Sequence, residues 1–132
     1  MIESIEWNGM TLAILIRTQY DQRGVNFVTS TSNPLQVGIM NHPAGTLVKP
    51  HQHKNFDRII CETQEVLHID SGEVEASFYA DGPDVVDKRT LKSGDTILLL
   101  SGGHGFKVLA NSKIIEVKQG PYYGTDEDKN PI

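Results

Sequence analysis

Apolar residues recur along this chain at short, even spacings and never at helical ones. In Glu65-Val66-Leu67-His68-Ile69 the first, third and fifth residues share one face of an extended segment. Such alternation, together with short continuous apolar and β-branched runs such as 11–16 and 96–100, predicts strands over residues 11–16, 26–32, 35–41, 46–53, 65–70, 73–79, 85–91, 96–100, 105–110 and 113–118. Turn chemistry separates them: Asn33-Pro34, His42-Pro43-Ala44-Gly45, Ser71-Gly72, Asp81-Gly82-Pro83-Asp84, Lys92-Ser93-Gly94-Asp95 and Asn111-Ser112. The runs on either side of Ser71-Gly72 read as a hairpin. Pro50 has no N–H to give a ladder, so the strand over 46–53 is edge or bulged there. Short strands with turn signals every eight to twelve residues predict an all-β sandwich or barrel.

A length of 132 residues predicts one domain, residues 1–132, with its core over about 35–118 and a polar, acidic, mobile tail over 125–132. Such a chain buries roughly two-thirds of its unfolded surface. A net charge of −5, with no cluster of Lys or Arg, argues against nucleic acid as a partner. The one cysteine, Cys61, allows no internal disulfide and reads as a small buried apolar residue. No apolar run exceeds six residues and the first residues lack a signal-peptide pattern, so the expectation is a cytoplasmic protein without membrane contact.

The histidines change the picture most. His51 and His53 are two apart in an extended run, so their rings point the same way. Glu65 opens the next apolar strand, and His104 lies in Ser101-Gly102-Gly103-His104-Gly105-Phe106. Imidazoles and a carboxylate converging on one point suit a divalent transition metal (iron, manganese, nickel, copper or zinc) better than calcium or magnesium. The glycines beside His104 would let the backbone pass close to an ion or ligand.

Gly45, five residues, His51-x-His53, then Glu65, six residues and Gly72 resemble the first motif of the cupin superfamily. Gly94-Asp95 through Gly102-x-His104 resemble the second, and the likeness covers residues 37–118. It implies a single-domain cupin, a double-stranded β-helix or jelly-roll barrel, with one metal on His51, His53, Glu65 and His104. Eleven residues stand between His53 and Glu65, which reads as an inserted loop. Spacing alone would make Asp57 the carboxylate; the glycine register favours Glu65, with Glu62 a third candidate. Leu100 replaces the usual proline, and Val108 stands where an asparagine is expected.

Outside that set, Glu116 and Lys118 share a face with Ile114 on the last strand. Facing a lumen they are candidate catalytic acid or base; facing outward they are solvated. Arg58 is a candidate for holding a carboxylate or phosphate, or else pairs with Asp57 or Glu62. Tyr122, in a Gln-Gly-Pro-Tyr-Tyr-Gly stretch, is a candidate binding rim. His42 reads as solvated and His68, of opposite parity to Glu65, as structural. The expected function is a metal-dependent enzyme, of oxygenase or isomerase type, acting on a small polar molecule. The alternative is a non-catalytic cupin module that binds a small molecule or sugar. A homodimer is expected, because single-domain cupins pair and open sheets have edges to cover.

Overall fold

The computed structural model describes residues 1–132 and is nearly all-β, with antiparallel sheets and one short helix. It divides into two compact units, one made of Met1–Tyr20 with Thr63–Ile132, the other of Asp21–Glu62.

The first unit contains two sheets. One has five strands in the order β1 (Ile2–Trp7), β2 (Met10–Ile16), β8 (Thr96–Leu99), β5 (Glu65–Ser71), β10 (Lys113–Lys118). The other has three, β7 (Val85–Lys92), β6 (Glu73–Tyr79) and β9 (Gly103–Val108). Their inner faces share one core. Ile5, Leu12, Leu15, Leu67, Ile69, Ile97 and Leu99 come from the larger sheet, and Val74, Ala76, Phe78 and Leu91 from the smaller. Each large apolar side chain so buried contributes about 1.5–3 kcal/mol. The strands remain two separate sheets, and no closed barrel forms.

Parity follows the sequence. In β5 Glu65, Leu67 and Ile69 are buried while Val66 and His68 are less so, and in β6 Val74, Ala76 and Phe78 are buried. His68 hydrogen-bonds the Thr96 hydroxyl through Nδ1 at 2.9 Å, a cross-strand structural contact.

A strand that the pattern reading omits, β1, is joined to β2 by Asn8-Gly9, with φ of 47° and 76°. Both central residues have positive φ, the requirement of the tight hairpin turn that Asn-Gly favours.

At one end of this unit Asp95 is buried. It accepts hydrogen bonds from Arg17 Nη1 (3.0 Å), the Thr18 amide (3.0 Å) and the Lys92 amide (2.9 Å). Arg17 also donates to Glu3 through Nε at 2.6 Å and to the Thr90 carbonyl at 2.7 Å. The Gly94-Asp95 pair is thus a structural clamp.

In the second unit, β3 (Gly24–Phe27) pairs with β4 (Gly38–Asn41). The intervening loop is tied by Val28 N–H to the Val37 carbonyl and by Gln36 Nε2 to the carbonyls of Ser30 and Asn33. The strand expected over 46–53 is absent, and residues 46–64 have neither helix nor strand. Pro50 interrupts any ladder, and the polar run that follows it offers no alternating apolar face. No helix is long and apolar enough to cross a membrane.

Candidate functional site

The first unit brings together Glu65, His104, Glu116 and Lys118. Glu65 is the first residue of β5 and continues the buried face of Leu67 and Ile69. Its position is fixed from behind: the Gln64 amide donates to Gln119 Oε1 at 2.6 Å, and Gln64 Nε2 reaches the Leu100 carbonyl at 3.4 Å. His104 is opposite Phe78 in the β6–β9 pair, so its ring projects on the core side of the smaller sheet. The two side chains meet between the sheets, with His104 Nε2 2.7 Å from Glu65 Oε1.

On β10, Glu116 is opposite Leu67 and Lys118 opposite Glu65, so both project on the same side as those residues. Ile114, opposite Ile69, packs on the core. Of the two orientations the sequence leaves open, the register selects the inward one, although Glu116 is at the sheet edge and exposed.

The charges are coupled. The hydrogen bond from His104 is the main reason the Glu65 carboxyl is lowered to about 2; a hydrogen bond to Glu116 acts the same way and burial opposes both. Glu116 is raised, first by that shared hydrogen bond and then by burial. The two neighbouring carboxyls oppose each other's ionisation, and Glu65 is the more readily ionised of the two.

Glu65, His104 and Lys118 line a cavity of about 250 Å³ with Ser101, Gly103, Asp128 and Ile132. The glycines beside His104 serve packing. A Cβ on Gly102, whose φ is +69°, would strike the Tyr79 carbonyl oxygen, and one on Gly103 would meet the Ile132 side chain. Residues 125–132, expected to be a mobile tail, contain a short helix, α1 (Thr125–Asp128). Asp128 pairs with Lys118 Nζ at 3.0 Å. Tyr122 is exposed, with its hydroxyl 3.0 Å from Thr125 Oγ1 and its ring 5.2 Å from Lys118 Nζ.

The other candidates lie in the second unit. His51 and His53 are exposed, with ring centroids 5.3 Å apart, and His51 Nδ1 is 2.8 Å from the Lys49 carbonyl. A carbonyl only accepts, so Nδ1 carries the proton and Nε2 keeps a free lone pair. Arg58 stacks over Phe56, 3.7 Å from the ring centroid, in place of the carboxylate partners considered for it. Asp57, Glu62 and His42 are exposed. Cys61, expected to be buried, is exposed because its segment joins no sheet.

The donor chemistry suits a transition metal, but its arrangement is divided. Glu65 and His104 satisfy each other in one unit, His51 and His53 adjoin in the other, and no group of three or more His, Cys, Asp or Glu side chains is gathered for an ion.

Sequence reasoning missed Asp128, whose pairing with Lys118 arises from tertiary contact between the tail and β10. A comparison with protein-family models, curated proteins and solved structures finds no match to this chain.

Proposed function

We propose that the chain is a small cupin-type enzyme whose active site is the Glu65–His104 pocket, acting on a small polar molecule by proton transfer, as an isomerase does. The observation that carries this is the 2.7 Å contact between Glu65 Oε1 and His104 Nε2 at the wall of a cavity of about 250 Å³. An ionised carboxylate only accepts, so it fixes the Nε2–H tautomer of a neutral His104 and leaves Nδ1 as the basic atom. A carboxylate that orients an imidazole in this way also stabilises the cation formed when the ring takes a proton. Glu116, whose carboxyl is raised by its neighbour Glu65, is a second group able to give or take a proton. Lys118 places positive charge at the same wall, where charge developing on a substrate oxygen would be stabilised.

The test is solvent-proton exchange. Small carbonyl compounds, beginning with hydroxyacetone and pyruvate, are incubated in deuterated buffer and followed by proton NMR. The expected result is deuterium uptake next to the carbonyl that is lost in His104→Ala. Binding of these compounds without uptake by any of them overturns the enzyme reading and leaves a binding module, a reading that the exposure of Glu116 favours.

A second reading rests on the His51–His53 pair, whose adjacent rings and free Nε2 on His51 support metal binding. The metal would be iron, manganese, nickel, copper or zinc, with the adjacent rings of His51 and His53 as its ligands. Such an ion would polarise a carbonyl or hold a chelating substrate. Its test is elemental analysis of untagged protein purified without chelator. About one equivalent per chain, lost in His51→Ala and His53→Ala, supports this reading; unchanged metal content in both variants removes it.

A further inference from the structure

Lys118 ends β10 beside the pocket with its charge already taken. Its ammonium is 3.0 Å from Asp128 Oδ2, and both side chains are largely covered, 19% and 15% exposed. Asp128 lines the cavity, as do Lys129, Asn130 and Ile132. The tail therefore contributes a wall of the pocket and places a carboxylate inside it. Two contacts tie it to the pocket wall: the ion pair with Lys118, and the tip of the otherwise exposed Ile132 side chain, which lies over Gly103 where a Cβ would be. The helix bearing Asp128 has four residues and none of them is fully buried, so it has little stability of its own.

A carboxylate group on a short tether, paired with Lys118, one of the two lysines that line a small cavity, occupies the place of a ligand. We propose that the pocket takes a small carboxylate whose anionic group replaces Asp128 on Lys118, and that residues 125–132 are the internal competitor it displaces. This rests on the reading of the pocket as the substrate site and assigns its ligand class. The tether gives Asp128 a high local concentration. A free carboxylate binds only to the fraction of molecules in which the tail has left, so its apparent affinity is reduced by that fraction. A neutral molecule of similar size needs no such exchange of partners at Lys118. The competition thus discriminates by charge, and weakening the tail is expected to favour anions alone.

The experiment is a titration of the full chain with pyruvate, and with hydroxyacetone as its neutral counterpart, followed by NMR. Wild type is compared with Asp128→Asn, Gly103→Ala and Lys118→Met. Asp128→Asn removes the competing charge; Gly103→Ala dislodges Ile132 without touching any charged group. Each is expected to bind pyruvate about tenfold more tightly than wild type, with hydroxyacetone unchanged, and Lys118→Met to lose pyruvate affinity by at least about tenfold. The proposal is overturned if neither tail variant gains affinity, if both gain equally for hydroxyacetone, or if Lys118→Met binds pyruvate as wild type does. Deuterium uptake that depends on His104, without a charge-selective effect of the tail variants, removes this inference and keeps the enzyme reading. Charge-selective binding without uptake does the reverse.

Discussion

Lys118 and Glu65 are directly opposed across the β10–β5 pair, yet the Lys118 ammonium binds Asp128, 3.0 Å away, while Glu65 takes His104 from the facing sheet at 2.7 Å. A cross-strand pair of opposite charges, the simplest arrangement for this register, is set aside for two partners drawn from other elements. Both halves of the pocket therefore depend on tertiary contacts: the sandwich brings His104 to Glu65, and the tail brings Asp128 to Lys118.

If the Glu65–His104 pair transfers protons, its members fail differently. His104→Ala removes the base and is expected to lower turnover by about 10²–10⁴-fold. Glu65→Gln keeps the ring but can fix the opposite tautomer, so turnover falls with little loss of substrate affinity. Steady-state kinetics of the exchange reaction separate the two: a fall in kcat with unchanged KM in Glu65→Gln supports the tautomer role, and an unchanged kcat removes it.

Asp95 offers a test of the fold away from the pocket. Replacing it with alanine leaves Arg17 without one of its two carboxylates and strands two amides, at an expected cost of about 3–5 kcal/mol. Thermal unfolding checks this, with a fall in Tm on the order of 10 °C or more. A fall of only a degree or two would mean that water replaces the carboxylate at no cost.

Acid sensitivity follows from Glu3. The hydrogen bond from Arg17 is the main reason its carboxyl is lowered from the ordinary 4.5, with Arg89 adding to the effect and burial opposing it. A carboxylate lowered on folding contributes stability in full above its unfolded value and loses it as pH falls through the folded one. Wild-type Tm is therefore expected to drop as pH falls below about 4.5, and the Glu3→Gln variant to lose less over the same interval. Parallel Tm profiles for the two proteins would exclude Glu3 as a source of the slope.

The carboxylate of any metal centre is resolved by two single variants. Glu65→Ala and Asp57→Ala are each loaded with nickel and assayed for metal per chain. Affinity lost in the first and kept in the second supports the glycine register; the opposite result supports the spacing.

A homodimer is expected to elute near twice the 14.6 kDa chain mass. The edge strand β10 exposes Ile115 and Val117, which such an interface would cover. Elution at the single-chain mass removes this expectation.

The parts of the fold that were legible are those whose signal is local. Alternation places Glu65, Leu67 and Ile69 on one face of β5, and the strand over 113–118 has the bounds of β10. Asn8-Gly9 has hairpin chemistry as well, but the apolar pattern starts its first strand at Thr11 and omits β1. The segment over 46–53 failed for a local reason as well, since Pro50 and the polar residues after it outweigh the apolar ones before it. The pairing of His104 with Glu65 and of Asp128 with Lys118 could not be read in this way. Each joins residues whose distance along the chain bears no relation to any strand or turn period, and only the packing of sheets and tail brings them together.

The parity of β5 has an evolutionary consequence. One set of alternate positions supplies both the pocket carboxylate and two core side chains, so an inserted or deleted residue that slipped the whole strand by one would expose Leu67 and Ile69 in the same stroke that turned Glu65 outward. Activity and foldability would be lost together, and no lineage could trade one for the other. Changes of chain length are thereby confined to segments outside the ladders, of which residues 42–64 are the longest.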